Sequence, residues 1–119
     1  MKSILAIAAL ALFAAAPALA QPAPAPAGNL AHGKQLFMAV GCYQCHGTSG
    51  EGGSDRTAPR IAPNPLAWQY YLNQLRNPQA RMPLYTAVVM PDQDAADIYA
   101  YLKSIPPAKT LAEIPMLNH

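Results

Sequence analysis

Two cysteines three positions apart, followed at once by a histidine, stand at Cys42-Tyr43-Gln44-Cys45-His46. This spacing constrains the fold more than any other stretch, because it predicts a prosthetic group at the centre of the domain. On one tight turn, two thiols can each add to a vinyl group of one porphyrin and form two thioether bonds. The histidine then lies beneath the iron, where a neutral imidazole is a good axial ligand. Two other chemistries share the C-x-x-C spacing. A structural zinc site needs about four ligands; only His32 and His119 remain as further nitrogen donors, neither in a paired spacing. A thioredoxin-like dithiol wants a βαβ context, and nothing in the chain reads as a parallel strand unit. The motif therefore predicts one covalent haem c, with Cys42 and Cys45 as thioether positions and His46 as an iron ligand.

The N-terminus predicts export. Lys2 is followed by an apolar run from Ile4 to Ala16, then Pro17 and the small-residue pattern Ala18-Leu19-Ala20. That is the form of a secretory signal peptide over residues 1–20 with an A-x-A cleavage site. The apolar run of 13 residues is short for a membrane span, which needs about 20. The expected location is the periplasm, with no membrane span after cleavage. There, two lone cysteines would tend to pair, and bonding both sulfurs to a porphyrin removes that hazard. Residues 21–28 are rich in proline and alanine and read as a flexible linker, a solvated arm with no site. Residues 29–119 then form the one small domain that a 119-residue chain has room for. Without Lys2 there are seven basic and six acidic side chains. No basic run or basic face with interleaved aromatics is present, which excludes nucleic acid as a partner.

Three main helices are expected. The first takes Asn29 as its N-cap and ends by Val40 or Gly41. Gly33, Leu36, Phe37 and Val40 share one face. A mid-helix glycine costs roughly 1 kcal/mol against alanine, so Gly33 marks close approach by another helix. Residues 47–58 show no period and read as a surface loop. The second helix has Asn64 as its N-cap and Pro65 in its first turn, and ends near Asn77, before Pro78. Its apolar face is Trp68, Tyr71, Leu72 and Leu75. The third runs from Pro91 or Asp92 to Ile105. Asp92, Asp94 and Asp97 read as helix-start charges, and Ile98, Tyr101, Leu102 and Ile105 as the buried stripe. The tail reads as an irregular strap. Long loops between so few helices suit an all-α domain only if they wrap something. A buried macrocycle would supply apolar volume that so short a chain lacks.

In this order, Gly33-x-x-x-Phe37, Cys42 to Gly47, Pro59, Met82-Pro83 and Asp97-Ile98-Tyr99-Ala100-Tyr101-Leu102, the chain resembles the class I (mitochondrial-type) monohaem c-type cytochromes. The resemblance covers residues 29–106 and is strongest to short bacterial members that partner periplasmic dehydrogenases. It implies a small cytochrome c fold whose first and last helices cross, with Gly33 and Phe37 meeting Ile98 and Tyr101. It also implies a methionine from the loop before the last helix as the second axial ligand. Met82 and Met90 compete for that role. Met82 precedes a stiffening proline, whereas Met90 abuts the helix, where an apolar residue often packs as a staple; Met82 is the expected ligand. A further implication is that the carbonyl of Pro59 accepts the other ring N–H of His46. Arg60, Arg76 and Arg81 all remain candidates for the haem propionates, Trp68 reads as core, and Tyr71 and Tyr85 are candidate haem-wall residues.

The implied function is electron transfer between Fe(II) and Fe(III), not enzymatic catalysis, since no general base sits in a catalytic pairing. Partners would be redox proteins: a donor dehydrogenase and an acceptor oxidase or other cytochrome. The alternative, a haem catalyst or gas sensor, requires an open distal iron position.

Overall fold

The computed structural model describes residues 23–53 and 58–117. The expected signal peptide, its cleavage site, Asp55, Arg56 and His119 lie outside them. The described residues contain helices and no strand: α1 (Leu30–Ala39), α2 (Cys42–His46), α3 (Trp68–Arg76), α4 (Asp92–Ser104) and two short 3₁₀ turns in the tail, Leu111–Glu113 and Pro115–Leu117. No helix among them is long and apolar enough to cross a membrane.

Helix α1 starts where its cap signal says. The Asn29 side chain accepts from the His32 backbone N–H at 3.1 Å, satisfying one of the orphan donors of the first turn. Gly33 and Phe37 face inward and α1 packs chiefly on α4. A Cβ at Gly33 would lie 1.9 Å from the Asp97 carbonyl oxygen. Only a residue without a side chain lets the two backbones approach so closely. Phe37 fills the space beside the crossing, its ring 5.5 Å from that of Tyr101. Gly41 then takes φ +84, a left-handed conformation that ends α1 and opens α2 at once.

The second expected helix begins later than its cap signal suggested. Asn64 and Pro65 lie outside it, and α3 starts at Trp68 after an extended Ala67. The Ala67 carbonyl is the first acceptor, taking the N–H groups of Tyr70 and Tyr71 at 2.9 and 3.0 Å. A turn further back would bury nothing, since Leu66 is 59% exposed. Burial of Trp68 therefore outweighs the Asn-Pro signal. Trp68, Tyr71 and Tyr99 form one aromatic cluster, with ring centroids 5.0 to 5.7 Å apart.

Helix α4 is buried on more than its expected stripe. Ile98, Tyr101 and Leu102 are inside, but so are Ala95, Ala96, Asp97 and Tyr99. Asp97 is not a solvated helix-start charge. It is 4% exposed and accepts from the Asn29 backbone N–H at 2.8 Å, from Gln93 at 2.9 Å and pairs with His32 Nδ1 at 2.7 Å. Burial pushes its carboxyl up, but the hydrogen bonds from His32, Asn29 and Gln93 outweigh that and hold it below the usual carboxylate range. Asp97 thus ties the start of α1 to α4.

Residues 23–28, expected as a solvated arm, instead lie against α3 and α4. Ala25 packs on the core, and side-chain amides of Gln69 and Gln93 donate to the carbonyls of Ala23 and Ala27.

Candidate functional site

The Cys42–His46 segment is a single helical turn set at the corner where α1 ends. Cys42 is half-buried, Cys45 is exposed, and the two are not bonded to each other. Burial pushes the Cys42 thiol up to about 11. A redox-active dithiol requires the reverse, a thiolate stabilised near neutral pH. Among the described residues, the group of donors close enough to share a metal ion is His32, Asp94 and Asp97, which includes neither cysteine. Both oxygens of Asp97 are already taken by protein donors.

The loop after His46 folds back on it. The Gly52 N–H donates to the His46 carbonyl at 2.7 Å, and the N–H groups of Ile61 and Ala62 both reach the Gly50 carbonyl, at 2.9 and 3.1 Å. The Glu51 carboxylate tightens this turn by accepting from the backbone and hydroxyl of Ser49. Pro59 is thereby carried to the imidazole. His46 Nδ1 lies 2.8 Å from the Pro59 carbonyl oxygen. A carbonyl can only accept, so Nδ1 carries the proton and Nε2 keeps its lone pair.

The loop between α3 and α4 holds both candidate methionines. Met82 is half-buried against the core, with its sulfur 3.5 Å from Gln74 Nε2. Two residues before it, Ala80 takes φ 58, a left-handed turn that costs a non-glycine residue roughly 1–2 kcal/mol. Met90 is 1% exposed and among the largest fully buried side chains. Arg76 clamps this loop, donating to the carbonyls of Tyr85 and Met90 and to the Asp92 carboxylate at 2.7, 2.8 and 2.6 Å. That clamp has no local sequence signal, because two of its acceptors are backbone carbonyls and all three lie 9 to 16 residues further along the chain. Arg60 and Arg81 are exposed, and Trp68 belongs to the aromatic core.

Tyr85 is buried, and its hydroxyl donates to the Val40 carbonyl at 3.1 Å, joining the methionine loop to the end of α1 beside Cys42. Burial and the Cys42 thiol raise its phenol above the usual value. Tyr71 is half-buried in the aromatic cluster; its hydroxyl donates to the Ala95 carbonyl at 3.2 Å, and burial raises its phenol strongly.

The donor set fits a covalently held haem. Two sulfurs share one helical turn, the adjacent imidazole has one nitrogen fixed and the other free to ligate, and a half-buried thioether lies in the loop before the last helix. The family model described as "Cytochrome C oxidase, cbb3-type, subunit III" matches residues 28–102. No curated protein and no solved structure matches the chain. The matched span runs from the residue before the α1 cap through the buried part of α4 and so includes the whole site. The chain therefore belongs to the cbb3-type cytochrome c oxidase subunit III family, and is an all-α c-type cytochrome whose haem c serves electron transfer with redox partners.

Proposed function

We propose that the protein is an exported electron carrier holding one haem c, with His46 and Met82 as axial iron ligands and Cys42 and Cys45 as its two thioether anchors. The observation that carries this reading is the contact between His46 Nδ1 and the Pro59 carbonyl behind the cysteine turn, at 2.8 Å. Such a bond fixes the tautomer and the ring orientation of a ligating histidine and raises its basicity. A haem held there supplies a one-electron couple between ferrous and ferric iron.

The chain's own side chains do the rest. His46 presents Nε2 from a ring that cannot swing, because Pro59 holds its other nitrogen. Met82 offers a soft sulfur, which favours the ferrous state over a second imidazole. Its support is the loop: a left-handed Ala80, a following Pro83 and partial burial. Met90 is instead seated among helix-packing side chains, with its carbonyl held by Arg76. With Arg76 committed to the loop, Arg60 and Arg81 are the arginines left for the propionates among the described residues. With His46 and Met82 both holding the iron, a bound haem would transfer electrons without binding a substrate.

The apolar run from Ile4 to Ala16 and the Ala18-Leu19-Ala20 pattern support export to the periplasm. Its partners there would be a donor such as a dehydrogenase and an acceptor oxidase or second cytochrome. The family description, an oxidase subunit, suits a resident subunit of such a complex as well as a shuttle. The test is a pair of variants. Met82→Ala is expected to abolish the weak far-red absorption of a sulfur bound to ferric iron, and Met90→Ala to leave it in place. Loss of the band in Met90→Ala alone would assign the ligand to Met90.

A further inference from the structure

We propose that the groove between α3 and α4 is a binding site for an extended, proline-spaced peptide segment, and that residues 23–27 of the same chain are its occupant. Each end of this segment is pinned by an amide side chain from a different helix. Gln69 of α3 donates to the Ala23 carbonyl, and Gln93 of α4 donates to the Ala27 carbonyl at 2.9 Å. Between the pins Ala25 is half-buried on the core, and Pro24 and Pro26 border a cleft of about 830 Å³ whose far side includes Trp68, Tyr99 and Lys103. The segment leaves the groove through Gly28, where a Cβ would lie 2.3 Å from the Ala96 carbonyl oxygen.

The chemistry of the seat matches that of the occupant. A chain with proline at every second position forms no backbone hydrogen bonds of its own, so its carbonyls need outside donors. Two glutamine amides supply them. Prolines also limit the freedom the segment loses on docking. An aromatic-lined groove is the usual partner of such a strand, and here Trp68 and Tyr99 meet edge to face, their ring centroids 5.5 Å apart. Tethering raises the local concentration of the segment enough for a weak site to stay filled. The site is independent of the haem ligands, and its failure would leave them untouched.

Nuclear magnetic resonance on the mature ferrous holoprotein tests this. The backbone heteronuclear NOEs of Ala23, Ala25 and Ala27 are expected to match those of α4. In Gln69→Leu/Gln93→Leu they should fall to those of a free chain while α1 and α4 keep theirs. Arm amides that are already mobile in the unaltered protein would overturn the proposal, as would amides that stay rigid in the double variant. A second variant, Pro24→Gly/Ala25→Asp/Pro26→Gly, frees the arm and leaves the groove intact. A synthetic peptide of residues 21–28 added to it should shift the Trp68 indole and Tyr99 ring resonances saturably. The same peptide with its prolines replaced by glycine should bind several-fold more weakly. Equal shifts from both peptides, or none from either, would overturn the claim that the groove recognises a proline-spaced strand.

Discussion

At Gly33 the usual effect of a substitution reverses. In a solvated helix, Gly→Ala gains about 1 kcal/mol. Here the added carbon would meet the Asp97 carbonyl 1.9 Å away, and backbone cannot step aside as a flexible side chain can. Overpacking of this kind costs about 1–3 kcal/mol, and the short distance puts Gly33→Ala at the upper end. A fall in the urea midpoint of that size would show it. At the iron, His46 and Met82 are expected to keep both faces closed, so carbon monoxide added anaerobically to the reduced protein at neutral pH should bind slowly and incompletely. Rapid, full binding would mean an open distal position. In Met82→Ala, binding should become fast.

Arg76 and Asp97 act at the scale of elements, each joining parts of the chain that sequence keeps apart. Arg76 holds the carbonyls at both ends of the 85–90 segment and the first carboxylate of α4. Lysine, with a point charge and no planar fork, cannot serve three acceptors so placed. Arg76→Lys is therefore expected to cost about 2–3 kcal/mol and to make the far-red band melt before the helices do, as followed by parallel thermal scans. Asp97 has the opposite sensitivity to pH from a surface acid left unpaired. Its folded value is depressed, so its stabilisation is complete above the unfolded value of about 3.9 and is lost as pH falls through the folded one. His32 and Asp94 are the titratable groups beside it. The stability gap between the protein and Asp97→Asn should thus shrink in acid as pH falls through the folded value, measured by urea unfolding across that range. Neither role was legible beforehand. A carboxylate in an early helical turn looks like a dipole partner, and nothing local distinguishes Asp97 from Asp92. The start of α3 differs from its sequence signal for a related reason: the Asn64-Pro65 signal is local, while the burial that places the first turn at Trp68 is not. Helices α1 and α4 were legible because cap, period and stop signals agreed with what packing required.

At the scale of the molecule, few side chains among the described residues are buried almost completely, with Phe37, Met90, Ile98 and Leu102 the largest. Long connections surround the cysteine turn, and a macrocycle bonded there would complete the core. The motif at Cys42–His46 was readable because its chemistry lies within five consecutive residues. The arm was not, because an alternating proline-alanine stretch has no period and its partners, Gln69 and Gln93, are ordinary polar residues until folding brings them together. Replacing both cysteines should leave a chain with much less helix by far-ultraviolet circular dichroism, since the group that fills the centre is no longer held. The most direct measurement is the intact mass of protein purified from cells able to attach haem, taken under denaturing conditions that strip any group not covalently bound. A mass equal to the mature polypeptide plus one porphyrin, reduced to the bare polypeptide in Cys42→Ala/Cys45→Ala, is the expected result. A colourless protein with the mass of the polypeptide alone would contradict it.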